Sequence, residues 1–101
     1  MNKYVFLYTG GSMPASEAEG KAMTKAWMDY FGKIGPSIID GGAPLSPTGK
    51  MLGKASASKA TGYSIVQAAS IDAALALTKD HPQLKHGGGI EVLEVMKVPG
   101  M

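Results

Sequence analysis

The chain has 101 residues, 45% of them hydrophobic, which is enough for one core and too few for two ordinary domains. We therefore expect a single domain over residues 1–101. Ten lysines and eight acidic residues give a net charge of +2, and the lysines are scattered rather than aligned along a phosphate backbone, which argues against a nucleic-acid partner. The absence of cysteine excludes disulfides, thiolate metal sites and cysteine nucleophiles.

An apolar run at residues 4–8 is the part of the N-terminus that most resembles a targeting segment. It ends at Gly10-Gly11 after five residues, which is too short for a signal-peptide core or a membrane span. The pattern predicts a cytoplasmic protein with no membrane partner.

The first half of the chain predicts a strand, a helix and a short strand. Residues 3–8 are β-branched and aromatic with both faces apolar, which is typical of a strand covered on both sides. A helix should cover residues 16–34, with Ser16 as its N-cap and Glu19 completing a capping box. Its buried face follows helical spacing: Met23, Ala26, Trp27, Tyr30, Phe31 and Ile34. Residues 37–41 predict a second strand.

Residues 41–61 are rich in Gly, Ser and Pro and are expected to be mostly loop, with a weak strand near residues 50–55. The second half then predicts a strand at 61–69, a helix at 70–80 capped by Ser70, and a strand at 89–98. The apolar face of that helix is expected to contain Ile71, Ala74, Leu75 and Thr78.

Two β-α-β halves of this size predict an α+β, ferredoxin-like β-α-β-β-α-β fold, with a four-stranded antiparallel sheet and two helices on one face. The other face of the sheet would then expose too much apolar surface for a monomer. We expect a homodimer in which the two sheets pack face to face, burying about 2,000 Å² or more in total.

Several segments resemble the YCII-related, DGPF-domain family. They are DGGAP at residues 40–44, GYSIV at 62–66, SIDAAL at 70–75 and GGGIEVLEV at 87–95, and the similarity covers nearly the whole chain. The resemblance implies a dimeric α+β barrel, in a superfamily that includes cofactor-free monooxygenases, muconolactone isomerase-like proteins and dehydrochlorinase-like members. It implies no established activity, since most of the family has none.

The chain departs from the family in two places. The Asp-Gly-Pro-Phe motif is absent, and residues 54–61 stand in its position before the third strand. The YCII branch carries a His on the first helix and an Asp before a Pro after the second, proposed as a catalytic pair. Here Thr24 takes the His position and His81, before Pro82, takes the Asp position.

Asp40 and His81 are the candidate catalytic residues. Asp40 follows two Ile residues and precedes two Gly residues, so it could be a partly buried general base or an ordinary turn residue that accepts backbone N–H bonds. His81 ends the predicted second helix, where an imidazole could titrate near neutral pH in a site, or could simply cap the helix.

Tyr8, Trp27 and Tyr63 are the candidate ligand-binding residues, because they could wall an aromatic pocket; core packing is the alternative for each. His86 precedes three glycines and is expected in an exposed turn. Two histidines without clustered carboxylates do not match known ligand spacings, so we expect no metal and no cofactor.

Two functions remain open, and the sequence does not decide whether the protein is an enzyme. The first is a cofactor-free enzyme, of lyase, isomerase or oxygenase type, acting on a small molecule. The second is a non-catalytic dimeric module that binds a small ligand or supports an assembly.

Overall fold

The computed structural model of the protein describes residues 1–11, 15–46, 48–54, 56–97 and 99. Within these residues the strands are β1 (Asn2–Gly10), β2 (Ile38–Pro44), β3 (Ala60–Ala68) and β4 (Gly88–Glu94), and the α-helices are α1 (Glu17–Lys33), α2 (Ile71–Ala76) and α3 (Pro82–Lys85), with a short 3₁₀ helix at Gly35–Ser37. The four strands form one antiparallel sheet in the order β2-β3-β1-β4. The element order and the antiparallel sheet are compatible with the predicted ferredoxin-like fold.

Alternation along the two central strands decides which side chains enter the core. Tyr4, Phe6 and Tyr8 of β1 are buried, as are Ser64 and Val66 of β3, while the residues between them remain partly exposed. The rest of the buried apolar core is Ala68 at the end of β3, Tyr30 of α1, Ile34 directly after α1, and Ala74 of α2. The helices therefore cover one face of the sheet.

The predicted helix starts are confirmed by their caps. The Ser16 hydroxyl accepts the Glu19 backbone N–H at 3.1 Å, and the Ser70 hydroxyl accepts that of Ala73 at the same distance. The Glu19 carboxylate accepts the backbone N–H of Ala15, one residue before the cap, so two otherwise unpaired N–H groups are satisfied.

The predicted helix over 70–80 was too long, because the chain forms two helices there. Helix α2 ends at Ala76, and residues 77–80 are turns before α3 begins at Pro82. The ring of Pro82 disfavours helical backbone at the preceding residue, and His81 is accordingly extended, with φ −67° and ψ 132°. Ile71 and Leu75, expected on a buried face, are about half exposed.

Two strand predictions also need correction. Residues 48–54 contain no strand, and Ala55 lies outside the described residues. The last strand ends at Glu94, although the Val95 N–H still donates to the Lys3 carbonyl at 2.9 Å. Residues 95–97 have no strand assignment, and Val98 lies outside the described residues.

The sheet face away from the core is apolar along its centre. We define the open face as the outward side chains Val5, Leu7, Tyr63, Ile65 and Leu93, which are cross-strand neighbours in β1, β3 and β4. They are partly exposed, since no element within the described residues buries them. In the same part of the chain, no helix has the length and apolar character needed to cross a membrane.

Candidate functional site

His81 lies at the centre of an aromatic cluster and is fully buried. Its ring centre is 4.2 Å from that of Tyr30, 4.7 Å from Trp27, 4.9 Å from Tyr8 and 6.5 Å from Phe6. These rings come from β1 and α1, whereas His81 precedes α3. The imidazole therefore connects three elements that are far apart in sequence.

Hydrogen bonds fix the tautomer of His81. Its Nδ1 accepts the backbone N–H of Gln83 at 3.0 Å, so the ring proton of the neutral imidazole is on Nε2. Nε2 lies 3.0 Å from the Tyr8 hydroxyl and donates to it. Tyr8 in turn donates to Ser64 Oγ at 2.6 Å, and Ser64 donates to the Gly41 carbonyl at 2.7 Å. Each donor in this series of hydrogen bonds, which we call the hydrogen-bond chain, has one acceptor.

This environment keeps both titratable members neutral near pH 7. Burial lowers the pKa of His81 to about 4, because the charged imidazolium would lose its hydration. Burial also raises the pKa of Tyr8 to about 12, against a smaller opposing effect of its bond to Ser64. The sequence placed His81 at a helix C-terminus, where charge is favoured; that placement was wrong, because His81 is the N-cap of α3 and its buried ring favours the neutral form.

A cleft opens beside the aromatic cluster, along α1 from its first turn to Phe31. We call it the α1 cleft; it is bounded by α1, the end of β1, the Gly41–Pro44 part of β2, the start of β3, and α3, and its volume is about 1240 Å³. Tyr8, Trp27 and Phe31 supply aromatic surface, and Met23 and Met28 supply flexible apolar surface. Its lining is therefore suited to flat apolar molecules.

Few polar groups reach the α1 cleft. The uncharged polar residues that line it are Ser16 and Thr24 on the α1 side, Thr61 on β3, and Gln83 and His86 at the α3 end. Glu17 and Lys21 also border it, 3.9 Å apart, but both side chains are more than three-quarters exposed, so solvent screens their charges. The interior of the cleft consequently has little net charge.

The structure brings together some of the predicted site residues. Tyr8 and Trp27 pack edge to face with ring centres 5.0 Å apart, both contact His81, and both line the α1 cleft. Tyr63 borders the cleft as well, but strand alternation directs its side chain to the open face, opposite Leu7.

Asp40 does not share a site with His81. It is exposed, and its carboxylate accepts the Gly42 N–H at 2.8 Å, while Gly42 has φ +77°. This is the turn geometry that Asp favours. Neither Asp40 nor His81 lines the α1 cleft, and both nitrogens of His81 are engaged in hydrogen bonds. The contacts therefore favour a structural role for each.

Sequence reasoning missed three residues of this region: Ser64 as a member of the hydrogen-bond chain, and Gln83 and His86 as polar cleft residues. Ser64 carried one usable signal, because a hydroxyl on the core side of an apolar strand needs an internal partner. Gln83 and His86 carried none, since the expected helix ended before them.

No model of a known protein family and no curated protein matches the chain. The described residues contain no group of three or more His, Asp or Glu side chains that could hold a metal ion.

Proposed function

We propose that this protein is a ligand-binding module that binds a small, neutral, largely flat molecule in the α1 cleft. We also propose that it is a YCII-related member of the dimeric α+β barrel superfamily. The observation that carries the proposal is the aromatic surface of the cleft: Tyr8, Trp27 and Phe31 line one opening of about 1240 Å³. Apolar clefts with a few placed polar groups are the usual form of small-molecule sites.

The charge pattern supports a neutral ligand. An anion would need a buried cation or a set of free N–H donors, and Lys21, the lysine that borders the cleft, is 79% exposed and near Glu17. The Glu17 side chain is 89% exposed, so a cation also gains little there. Apolar contact and stacking would supply most of the affinity.

The hydrogen-bond chain supports binding over acid–base catalysis through the predicted pair. A general base at neutral pH needs a pKa near the working pH and a free lone pair. The pKa of His81 is lowered to about 4, and its one lone pair accepts the Gln83 N–H. The Asp40 carboxylate accepts the Gly42 N–H in an exposed turn and does not line the α1 cleft. A rigid, neutral cluster of this kind instead preorganises one wall of a binding site.

A cofactor-free enzyme is the second candidate, and His86 is the observation that favours it. Its imidazole lines the α1 cleft and is only partly buried, and His is the commonest acid–base group in enzymes. If the protein is an isomerase or lyase, His86 rather than His81 accepts the substrate proton. His86→Asn would then remove turnover while a ligand still binds.

We further propose that two copies associate through the open face. Face-to-face sheet packing would bury the apolar side chains of β1, β3 and β4 that the described part of one chain leaves partly exposed. The α1 cleft lies on the opposite side of the sheet, so each copy would keep its own cleft.

A fragment library tests the proposal without knowledge of the ligand. Trp27 is the only tryptophan of the chain, so its fluorescence reports directly on the cleft. A ligand at a hundred times its Kd should add about 2.7 kcal/mol to the free energy of unfolding and raise the melting temperature. Neutral aromatic fragments should give both signals. Signals confined to charged fragments, or stabilisation without any change at Trp27, would contradict the proposal.

A further inference from the structure

Gln83 is the polar side chain whose position in the α1 cleft is most strictly determined. It is 92% buried, and its Nε2 donates to the carbonyls of Thr9 at 2.9 Å and Gly10 at 3.2 Å. Both acceptors are backbone groups at the end of β1. The two bonds determine which end of the amide is nitrogen, since an oxygen there would face two carbonyl oxygens.

Two glycines make room for this amide. A Cβ at Gly88 would lie 2.2 Å from Gln83 Nε2, and one at Gly11 would lie 3.2 Å from the same atom. The first distance is impossible without displacing the amide. The end of β1 and the start of β4 thus leave room for a glutamine amide at this position.

The other end of the amide is its carbonyl oxygen, Oε1. Among residues 1–11, 15–46, 48–54, 56–97 and 99, no donor bonds to Gln83 Oε1. In that part of the chain, every fully buried side-chain oxygen or nitrogen has a hydrogen-bond partner. Oε1 has none, so it must retain accessible surface. The opening that Gln83 lines is the α1 cleft. A mostly buried, immobile carbonyl oxygen at a binding cleft accepts a hydrogen bond from whatever occupies it.

We propose that Gln83 Oε1 determines specificity in the α1 cleft by accepting a hydrogen bond from the ligand, so that the site selects neutral aromatic molecules carrying a hydroxyl or N–H donor. This inference rests on the proposed function, since it needs a ligand in the cleft. An aromatic ether or halide would leave Oε1 buried without a partner, whereas a phenol or an indole N–H would satisfy it.

A matched ligand pair tests this directly. The probes are 2-naphthol and 2-fluoronaphthalene, because fluorine has nearly the size of a hydroxyl but no proton to donate. Their Kd values are measured by following the Trp27 indole N–H in ¹H–¹⁵N NMR spectra. The wild type should bind 2-naphthol about tenfold more tightly, although the fluorinated compound is the more apolar.

Two glutamine variants separate the roles. Gln83→Met keeps the length of the side chain and removes Oε1, so the ratio of the two Kd values should fall to about one or reverse. Gln67→Met is the control, since Gln67 lies on the opposite side of β3 from Ser64 and donates to the Pro36 carbonyl. That variant should keep the wild-type ratio.

The outcomes distinguish this inference from the proposed function. Equal affinity of the two probes for the wild type would overturn the role of Gln83 and leave the binding cleft standing. Binding of neither probe at the cleft would overturn both. If Gln83→Met does not fold, the Gln83 Cδ resonance of the wild type decides: 2-naphthol should shift it and 2-fluoronaphthalene should not, and equal shifts would contradict the proposal.

Discussion

His81 Nε2 and the Tyr8 hydroxyl lie 3.0 Å apart in the core, and the direction of their hydrogen bond is set by a third group, the backbone N–H of Gln83 at His81 Nδ1. One imidazole thus caps α3 and orients a tyrosine that borders the α1 cleft. Tyr8 passes the bond to Ser64, which holds the Gly41 carbonyl in β2. Hydrogen bonds to core residues therefore hold Tyr8, and with it this wall of the cleft, in position.

Tyr8→Phe should destabilise the fold by about 1–3 kcal/mol, because it leaves His81 Nε2–H without an acceptor and Ser64 Oγ without its donor. Tyr4→Phe is the matched control on the same strand and face. The hydroxyl of Tyr4 accepts one long bond of 3.4 Å from Asn2, so its loss should cost under about 1 kcal/mol. Urea unfolding measures both; equal costs would show that the hydrogen-bond chain contributes no stability.

Stability should fall on mild acidification. The pKa of His81 is about 4 in the folded state, against about 6.5 for an unfolded chain, so between these values the unfolded state binds the extra proton. The contribution of the neutral His81 to the free energy of unfolding is fully present above pH 6.5 and is lost as the pH falls toward 4. From pH 7.5 to 5.0 the loss should be about 2 kcal/mol.

His81→Phe should remove that part of the pH dependence, whereas His86→Phe should retain it. The NMR signal of His81 Cε1–H gives an independent check. A midpoint above pH 6 for His81 would mean that the imidazole is not held neutral by burial.

The pair Gly41 and Gly42 gives a local test of the β2 edge. A Cβ at Gly42 would lie 1.7 Å from the Tyr63 carbonyl oxygen, and φ there is +77°, whereas a Cβ at Gly41 meets only Phe31 at 4.0 Å. Gly42→Ala should cost about 3 kcal/mol or more, and Gly41→Ala under about 1 kcal/mol. Thermal unfolding of the two variants measures the difference; similar melting temperatures would contradict this backbone geometry.

Much of the fold could be predicted from sequence because its signals are local. Alternation marked Tyr4, Phe6 and Tyr8 as one face of a strand, and the Ser16 and Ser70 caps fixed two helix starts. The break after α2 was missed because helical spacing continues through residue 78, while the ring of Pro82 acts on the residue before it.

The site was less predictable because its contacts span the chain. Tyr8 and His81 are 73 positions apart, and their bond leaves no periodic trace in the sequence. A histidine before a proline is compatible with a cap, a base or a core residue, and only the surrounding rings decide among these. Asp40 was equally ambiguous, and its exposure together with the Gly42 N–H favours the turn.

The proposed dimer predicts that a charge on the open face separates the two copies. Val5→Lys places an ammonium group between Ile65 and Leu93, its cross-strand neighbours, where a face-to-face partner would have to bury it. Sedimentation equilibrium should give a dimer for the wild type and a monomer for the variant. Lys25→Ala, on the exposed surface of α1, is the control and should stay dimeric. A monomeric wild type at micromolar concentration would refute the association.

Filling the α1 cleft tests the central claim most directly. Thr24→Tyr adds a ring from the α1 side of the cleft, and Ala22→Tyr adds the same ring to an exposed position of that helix outside the cleft lining. The measurement is the Kd of 2-naphthol, followed at the Trp27 indole N–H. We predict that Thr24→Tyr weakens binding at least tenfold while Ala22→Tyr matches the wild type, with both variants folded. Unchanged affinity in Thr24→Tyr, or equal loss in both, would contradict a ligand site in this cleft.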